Sequence, residues 1–441
     1  MGRTVSNASG CAPLEDEFDP LLDDFVSKER KYIHFDLPLS EAERESVSYT
    51  SSDLTAHPFW PLIGFVAEER RVVRNGNSIA LKIKPREIKF GSHQDAALLE
   101  WYAKKLSRHY EKIIIKSSLD KNILAYRSGV GSNINHAKDL FDEVRHRGEC
   151  TAIALDIKGF FDHIKHQVLR KQIAAVLGEV NLPDCDYKVF RRMTRFEWVD
   201  AKRLKLRLGS RHGRGGRICS AHAFRALVRE RGAGLIERNE YSFGIPQGTP
   251  LSGLYANISM LGFDRDLKNK LDEFGGSYRR YSDDIAILLP SSVDYVEILN
   301  FVESLLDSIG LSLSKQKTEV SKFLFSSGVQ VADHPFQYLG FTFDGCKTLL
   351  RASSLNKYYS KMHQGVRAKI RAAKVKSIPA NEIFMRELFR KYTHFGRNMN
   401  FPRYAYRAAD VLSAPEIRQQ VKGHMNVFKR VVRQYIDRTY L

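Results

Sequence analysis

The stretch that most constrains this chain is Tyr278 to Leu289, YRRYSDDIAILL. It predicts two short strands around a tight Ser-Asp-Asp turn. Asp283 and Asp284 then sit together at the tip of a hairpin between apolar strands. Turns often carry Asp, because a short carboxylate bonds local backbone. Two adjacent ionised acids repel each other, however, and a protein usually separates them unless a cation is shared. A third acid has the same problem. TAIALDI, Thr151 to Ile157, reads as a buried strand ending at Asp156. Such a strand end is a poor place for an uncompensated charge. Carboxylates brought together from two strand ends make a hard-oxygen site suited to Mg²⁺.

Other segments supply the frame. The first thirty residues, with LEDEFDPLLDD, are acidic and polar and are expected to be a flexible leader or docking segment. Ser48 to Pro61 reads as a loop. RRVVRNGNSIALKIK predicts a strand pair about an Asn-Gly turn, ending near Phe90. A helix is expected from His93 to Lys112, with Leu99, Tyr102, Leu106 and Tyr110 on one stripe and Ser92 or Asp95 as its cap. A second covers about Asn135 to Arg147, burying Ala137, Leu140, Phe141 and Val144. Ala201 to Arg217 holds seven Lys and Arg and no acid, and reads as an exposed loop or hairpin. Thr249-Pro250 is expected to open a helix with Leu254, Ile258 and Leu261 on its buried face. Residues 355–441 read as mostly helical, interrupted near Pro379, Pro402 and Pro415.

The net charge of +19 over 441 residues repels itself unless a polyanion neutralises it. Nucleic acid is the first candidate and an anionic membrane surface the alternative. From Leu355 onward the chain carries 19 Lys and Arg against 5 Asp and Glu, so most of the excess lies in its last fifth. That concentration points to nucleic-acid contact. Cys11, Cys150, Cys185, Cys219 and Cys346 form no C-x-x-C pair and read as ordinary thiols of a reducing compartment. No signal-peptide pattern and no run of roughly 20 apolar residues is present, which predicts a soluble, cytoplasmic protein.

Tyr-x-Asp-Asp alone is weak evidence, and its company decides the matter. Asp156-Ile-Lys-Gly-Phe-Phe-Asp162, then Gly244-Ile-Pro-Gln-Gly-Thr-Pro-Leu-Ser-Gly253 with Ala256-Asn257, then Tyr281-Ser-Asp-Asp284 stand in fixed order. They resemble the A, B and C motifs of reverse transcriptases. GLSLSKQKTEV (Gly310 to Val320) resembles motif D, and FQYLGFTF (Phe336 to Phe343) resembles the primer grip of motif E. KPREIKFGSHQDAALLEWYAKKL and LAYRSGVGSN resemble the fingers of bacterial members. The resemblance covers roughly residues 75–350.

It implies an α+β right hand: fingers and palm, with an antiparallel palm sheet backed by helices, and a helical thumb. The corresponding division is a leader over 1–60, fingers over 61–150 and palm over 151–335 with a basic insertion near 201–217. A primer-grip-like hairpin follows over 336–354, then a basic helical thumb over 355–441. By resemblance Asp156, Asp283 and Asp284 are catalytic and hold two Mg²⁺ ions, for which Mn²⁺ can substitute, with help from the Ile157 carbonyl. Phe161 matches the steric gate, where a ring under the sugar leaves no room for a 2′-hydroxyl; a core Phe is the plain alternative. Pro246-Gln247-Gly248 matches the loop beneath the nucleotide, and Gln247 the sugar contact. Lys317 matches the motif D lysine that protonates pyrophosphate, with a surface lysine as alternative. Lys84 and Arg86 match the basic fingers positions on the triphosphate, and Arg127 lies near template or nucleotide. In the insertion, Lys202 and Arg203 are expected on template RNA, with a solvated loop as alternative. In the thumb, Arg403 and Arg407 are expected on RNA.

No segment resembles an RNase H, endonuclease, integrase or maturase domain. The compact form resembles bacterial retron-type and phage-defence enzymes. The pattern from Arg86 to Leu106 and the late SAPEIRQQVKGHM resemble the abortive-infection and defence-associated groups most closely. That implies RNA-directed DNA synthesis from dNTPs on a structured non-coding RNA, with a cDNA product serving antiviral defence. A retron enzyme making RNA-linked cDNA is one alternative, and a catalytically silent RNA-binding scaffold another. Oligomerisation is not legible.

Overall fold

The computed structural model describes residues 25–75, 78–230, 234–396 and 400–440, without the side chains of 69–84, 211 and 214. Residues 1–24 of the expected leader and Gly76 of the expected turn therefore lie outside the described residues. In chain order the strands are β1 (Leu62–Asn75), β2 (Ser78–Phe90), β3 (Cys150–Asp156), β4 (Glu197–Asp200), β5 (Ile236–Arg238), β6 (Ser277–Tyr281), β7 (Asp284–Pro290), β8 (Glu319–Ser326), β9 (Val329–Ala332), β10 (Phe336–Tyr338), β11 (Phe341–Phe343) and β12 (Thr348–Leu350). The protein is a mixed helix-and-sheet chain in two compact units. One comprises Met1–Tyr126, Ile157–Leu267 and Glu303–Ser312; the other comprises Arg127–Asp156, Lys268–Val302 and Leu313–Leu441.

The first unit carries a four-stranded sheet in the order β2-β1-β4-β5. β1 and β2 form the expected antiparallel pair, in register from Ile63↔Phe90 to Asn75↔Ser78. The predicted helix runs from His93 to Lys116, one turn longer than its sequence stripe, because Ile114 is buried as well. Its cap is Ser92, whose side chain accepts from the Asp95 backbone N–H at 3.1 Å. The Asp95 carboxylate is buried. It bonds His57 Nε2 at 2.8 Å, accepts from Trp60 N–H at 3.0 Å and faces the Arg192 guanidinium at 3.6 Å.

Ser48 to Pro61 is not all loop, since Ser51–Ala56 is a short helix capped by Thr50, and two further expectations are corrected in this unit. Ala201 to Arg217 is not a loop or hairpin at its start: Ala201–Leu208 is a helix. The Asp200 side chain caps it, accepting from Arg203 N–H at 2.8 Å. Leu204 and Leu208, one turn apart, enter a core with Phe35, Ile63, Val199 and Phe224. Burying each contributes roughly 1.5–3 kcal/mol, enough to fold a segment that its basic residues disguise. The second correction is at Thr249-Pro250. The helix is Ser252–Ser259, and Pro250 lies in the turn before it. The Thr249 and Ser252 hydroxyls bond each other at 2.7 Å, and Ser252 donates to the Pro246 carbonyl.

The second unit is built on a five-stranded sheet in the order β6-β7-β3-β8-β9, antiparallel throughout. A helix, Asn133–Arg147, covers it with Ala137, Leu140, Phe141 and Val144 in the core. Phe141 stacks on Phe343 with ring centroids 5.1 Å apart, tying in a small sheet in the order β10-β11-β12. The long helix Ala352–Val375 buries Tyr358, Met362, Val366 and Ile370 at four-residue spacing. They pack with Tyr392, Phe428 and Val431. The three prolines of this region begin elements. Pro402 and Pro415 sit in the first turns of Phe401–Val411 and Pro415–Val421, and Pro379 precedes a 3₁₀ turn. The missing proline N–H is one a helix start does not need. Cys150, Cys185, Cys219 and Cys346 are free thiols.

Candidate active site

The second unit brings the three aspartates together by strand register. β3 and β7 pair antiparallel with Asp156 directly opposite Asp284. Asp283 lies in the two-residue link between β6 and β7, since Tyr281 pairs with Asp284. Ser282, before it, has a φ of 62°, an uncommon left-handed conformation for a residue with a side chain. Beneath the turn Arg280 is completely buried, and its guanidinium donates to the Ser282 carbonyl at 3.3 Å. Sequence reasoning passed over Arg280; its signal was the strand's alternation, which puts Arg280 on the same face as Tyr278.

Crowding by protein atoms pushes the Asp284 carboxyl up to about 6, and the charges on Asp283 and Asp156 push the same way. Lys317 and Arg351 oppose the rise. Asp284 nonetheless keeps an open edge to solvent. Three carboxylates thus meet at one strand edge, with Lys317 and Arg351 beside them. Lys317 Nζ sits on Asp156 Oδ1 in an ion pair. The Lys315–Lys317 turn is anchored where Ser314 N–H donates to the Asp156 carbonyl at 2.8 Å. Among the described residues no three His, Cys, Asp or Glu side chains converge tightly enough to hold a metal ion as they stand. The donor set, carboxylates on neighbouring strand ends, is still the kind a hard divalent cation takes. Beside Asp284 lies a cavity of about 350 Å³, lined among others by Asn133, Gln337, Tyr338 and Arg351.

The remaining expected residues fall in two sets. In the first unit, Phe160 is 3% exposed and packs inward, while Phe161 is half-buried. The Phe161 carbonyl accepts from Ile245 N–H at 2.9 Å, and Gln247 Nε2 donates to Asp162 Oδ1 at 3.3 Å. Those bonds dock the Pro246-Gln247-Gly248 loop on the segment after Ile157, which is itself buried. Gly248 has a φ of 117°, and a Cβ there would meet the Lys89 carbonyl oxygen at 3.0 Å. Its close approach is to β2, where Lys89 N–H donates to the Gln247 carbonyl at 2.7 Å. Tyr126 was missed in the sequence. It has a φ of 59°, is 53% exposed, lies edge-on to Phe161 at 6.3 Å and covers Gly253 so closely that a Cβ would meet its ring at 2.5 Å.

Arg86 is exposed on β2, and the Lys84 side chain lies outside the described residues. Lys202 is exposed. Arg203 is engaged within the protein, by Glu237 at 2.7 Å and the Gly234 carbonyl at 2.7 Å. In the second unit Arg127 is half-buried at the start of its segment. Arg403 donates to the His394 carbonyl at 3.0 Å, and Arg407 is exposed on the same helix.

A family model described as reverse transcriptase (RNA-dependent DNA polymerase) matches residues 97–343, more than half of the chain. No curated protein sequence matches. Solved structures that resemble the chain include the apo telomerase of Candida tropicalis, at 11% identity and a TM-score of 0.45, covering 86% of this chain and 64% of that one. Another is the telomerase of Candida albicans in complex with a TWJ fragment of telomeric RNA, at 12% identity and a TM-score of 0.42, covering 88% and 65%. A C. tropicalis telomerase truncated from its C-terminal domain gives 12% identity, a TM-score of 0.39 and 63% and 53% coverage. The chain thus spans between 53% and 65% of the length of these proteins. Among the described residues no helix is long and apolar enough to cross a membrane.

Proposed function

Because this chain belongs to the reverse transcriptase (RNA-dependent DNA polymerase) family, we propose that it extends a DNA strand with dNTPs on an RNA template, at Asp156, Asp283 and Asp284. The observation that carries this reading is the register pairing of Asp156 with Asp284, with Asp283 in the adjoining turn. The family uses divalent metal ions, and these carboxylates with the Ile157 carbonyl are the residues that would hold them. Two bound Mg²⁺ ions, or Mn²⁺, would supply activation of a primer 3′-hydroxyl and neutralisation of the leaving pyrophosphate.

The chain's own groups do the rest. Asp156 and Asp283 fix the position of positive charge, and Asp284 adds to the negative field from the neighbouring strand. Lys317, ion-paired to Asp156, carries a proton at the edge of the site and delivers it to the leaving group. Phe161 lies under the sugar and excludes a 2′-hydroxyl. Gln247 orients the sugar from a loop whose shape Gly248 permits. Lys84 and Arg86 neutralise the triphosphate, and Arg127, Lys202, Arg403 and Arg407 bind RNA. Arg203 instead holds Glu237 in place. In this reading 61–150 are fingers, 151–335 palm, 336–354 primer grip and 355–441 thumb. The template is a dedicated structured RNA, and the cDNA serves phage defence in a bacterial cytoplasm. The support for that last step is the motif resemblance between Arg86 and Leu106.

The test is labelled dNTP incorporation by the purified protein with its co-purified RNA, with and without Mg²⁺. Replacing Asp283 and Asp284 by Asn is expected to cut incorporation more than about a hundredfold while RNA still binds. Incorporation that survives the double substitution ends the polymerase reading. Loss of phage protection in the same variant tests the defence role.

A further inference from the structure

The first unit contains a cleft of about 1290 Å³ that none of the three aspartates lines. Its walls come from the helix His166–Leu177, the helix Asp184–Thr194 and the segment near Gly310. Arginine and lysine crowd it. Three of these cations have duties within the protein. Arg192 faces buried Asp95, Arg195 donates to the Glu240 carbonyl at 2.6 Å, and Arg238 pairs with Glu197. Four others, Lys165, Arg170, Lys188 and Arg191, make no ion pair or hydrogen bond through their side chains among the described residues. Among the described residues that line it, the only carboxylates besides the paired Glu197 are Glu240 and Asp307. Unneutralised like charges in one cleft repel each other and favour a polyanion.

Aromatic surfaces accompany the charge. Tyr187, in the cleft, is 40% exposed, with the Arg170 guanidinium 5.4 Å over its ring and Phe190 stacked beside it at 6.2 Å, so a base would meet the exposed edge of this group. At the margin Tyr241 is 66% exposed and stacks on Phe243 at 5.1 Å and 23°. Phe243 also lies parallel to His163 at 6.2 Å, and Lys165 Nζ stands 5.0 Å over its ring. A free phosphate would need only the cations. An acidic peptide would have no use for exposed ring faces. Cations interleaved with solvent-exposed aromatic rings are the arrangement that holds a strand by its backbone while its unpaired bases stack.

We propose that this cleft binds single-stranded nucleic acid, with phosphates on Lys165, Arg170, Lys188 and Arg191 and bases on Tyr187 and the Tyr241–Phe243 stack. It is a binding site additional to the catalytic carboxylates. It holds the strand whether or not synthesis occurs.

The experiment uses the full chain and a short labelled single-stranded RNA in a salt titration, with ultraviolet cross-links mapped by mass spectrometry. Cross-links are expected at Tyr187 or Tyr241. Arg170→Glu with Lys188→Glu should weaken binding roughly tenfold or more and flatten the salt dependence, by about 0.7 in log–log slope for each phosphate no longer neutralised. Tyr187→Leu should weaken binding roughly tenfold with the slope retained. All three side chains reach solvent, and unchanged thermal melting separates weakened binding from failed folding. The Asp283→Asn, Asp284→Asn protein should bind and cross-link as the unaltered chain does, so a failed polymerase reading leaves this one standing. Unchanged affinity and slope in the charge-reversed protein overturn the proposal. So does an absence of cross-links in the cleft, or equal displacement of the RNA by polyglutamate, which would make the cleft a seat for an acidic protein.

Discussion

Phe160 and Phe161 are chemically identical neighbours with different surroundings. Phe160 is 3% exposed and holds its short helix to the core. Phe161 is half-buried, with its backbone carbonyl engaged by Ile245 and its ring edge-on to Tyr126. Removing a buried Phe ring costs about 3–5 kcal/mol. Phe160→Ala is therefore expected to damage folding, and Phe161→Ala to change what the protein accepts. The Phe161→Ala enzyme should incorporate ribonucleotides alongside deoxynucleotides with its melting temperature nearly unchanged. Competition between labelled rNTP and dNTP reads this directly. Discrimination equal to that of the unaltered protein would remove Phe161 from beneath the sugar. At the three aspartates the acids themselves stood out in the sequence, but their alignment did not. It depends on β3 and β7 pairing across more than a hundred residues of chain, and no local pattern specifies that register.

Among elements, the helix His93–Lys116 shows how one buried charge organises several segments. Asp95 holds His57, the Trp60 backbone and Arg192 at once. Burial lowers the affinity of Arg192 for its proton, and Asp95 works against that. Asp95→Asn keeps the shape but leaves the arginine uncompensated, at a cost of about 3–5 kcal/mol. Asp95→Asn with Arg192→Met, which removes both charges, should cost less, and urea denaturation of the two variants decides it. His34, on a neighbouring segment, gives a pH dependence. It is buried, its Nδ1 accepts from Phe35 N–H at 2.8 Å, and burial, with the charge of His93, pushes it down to about 3. Above the unfolded value of 6.5 neither state is protonated and its neutral burial costs nothing in protons. As pH falls from 6.5 toward 3 the unfolded chain takes up the proton first, so stability declines. The decline is about 1.4 kcal/mol for each pH unit. A His34→Phe chain should lose that part of the slope in urea unfolding between those limits.

Most elements with a clean period were legible: both central helices, the β1–β2 pair and the aspartate hairpin. Ala201–Leu208 was not, because Leu204 and Leu208 are its only buried positions and basic residues separate them. Arg280 shares the buried alternation of its strand with Tyr278, but a charged residue there reads as exposed, and Tyr126 belongs to no periodic pattern. Their roles come from chain segments that meet only after folding.

For the whole molecule the deciding quantity is charge. The excess of +19 is carried in large part by residues 355–441, and the fold keeps much of it in solvent. On Ala352–Val375 the buried stripe of Tyr358, Met362, Val366 and Ile370 leaves Lys361, Arg367 and Arg371 exposed. Only some cations of the region are committed internally, as where Arg418 pairs with Asp410 or Lys374 donates to the Thr439 carbonyl at 2.7 Å. If RNA lies on this surface, each phosphate it neutralises releases condensed counterions and steepens the salt dependence of binding by about 0.7 for a single strand or about 0.9 for a duplex. Arg403→Gln with Arg407→Gln should flatten the log–log slope by one to two such steps. The two side chains should not contribute alike. Arg403 already donates through Nε to the His394 carbonyl, so its loss also loosens the loop before its helix. Arg407 is exposed, and its loss should act through charge alone. The slope change should therefore persist in Arg407→Gln by itself, with unaltered melting. A slope that stays the same in both proteins would mean that this basic surface faces only water, and that the RNA is held elsewhere in the molecule.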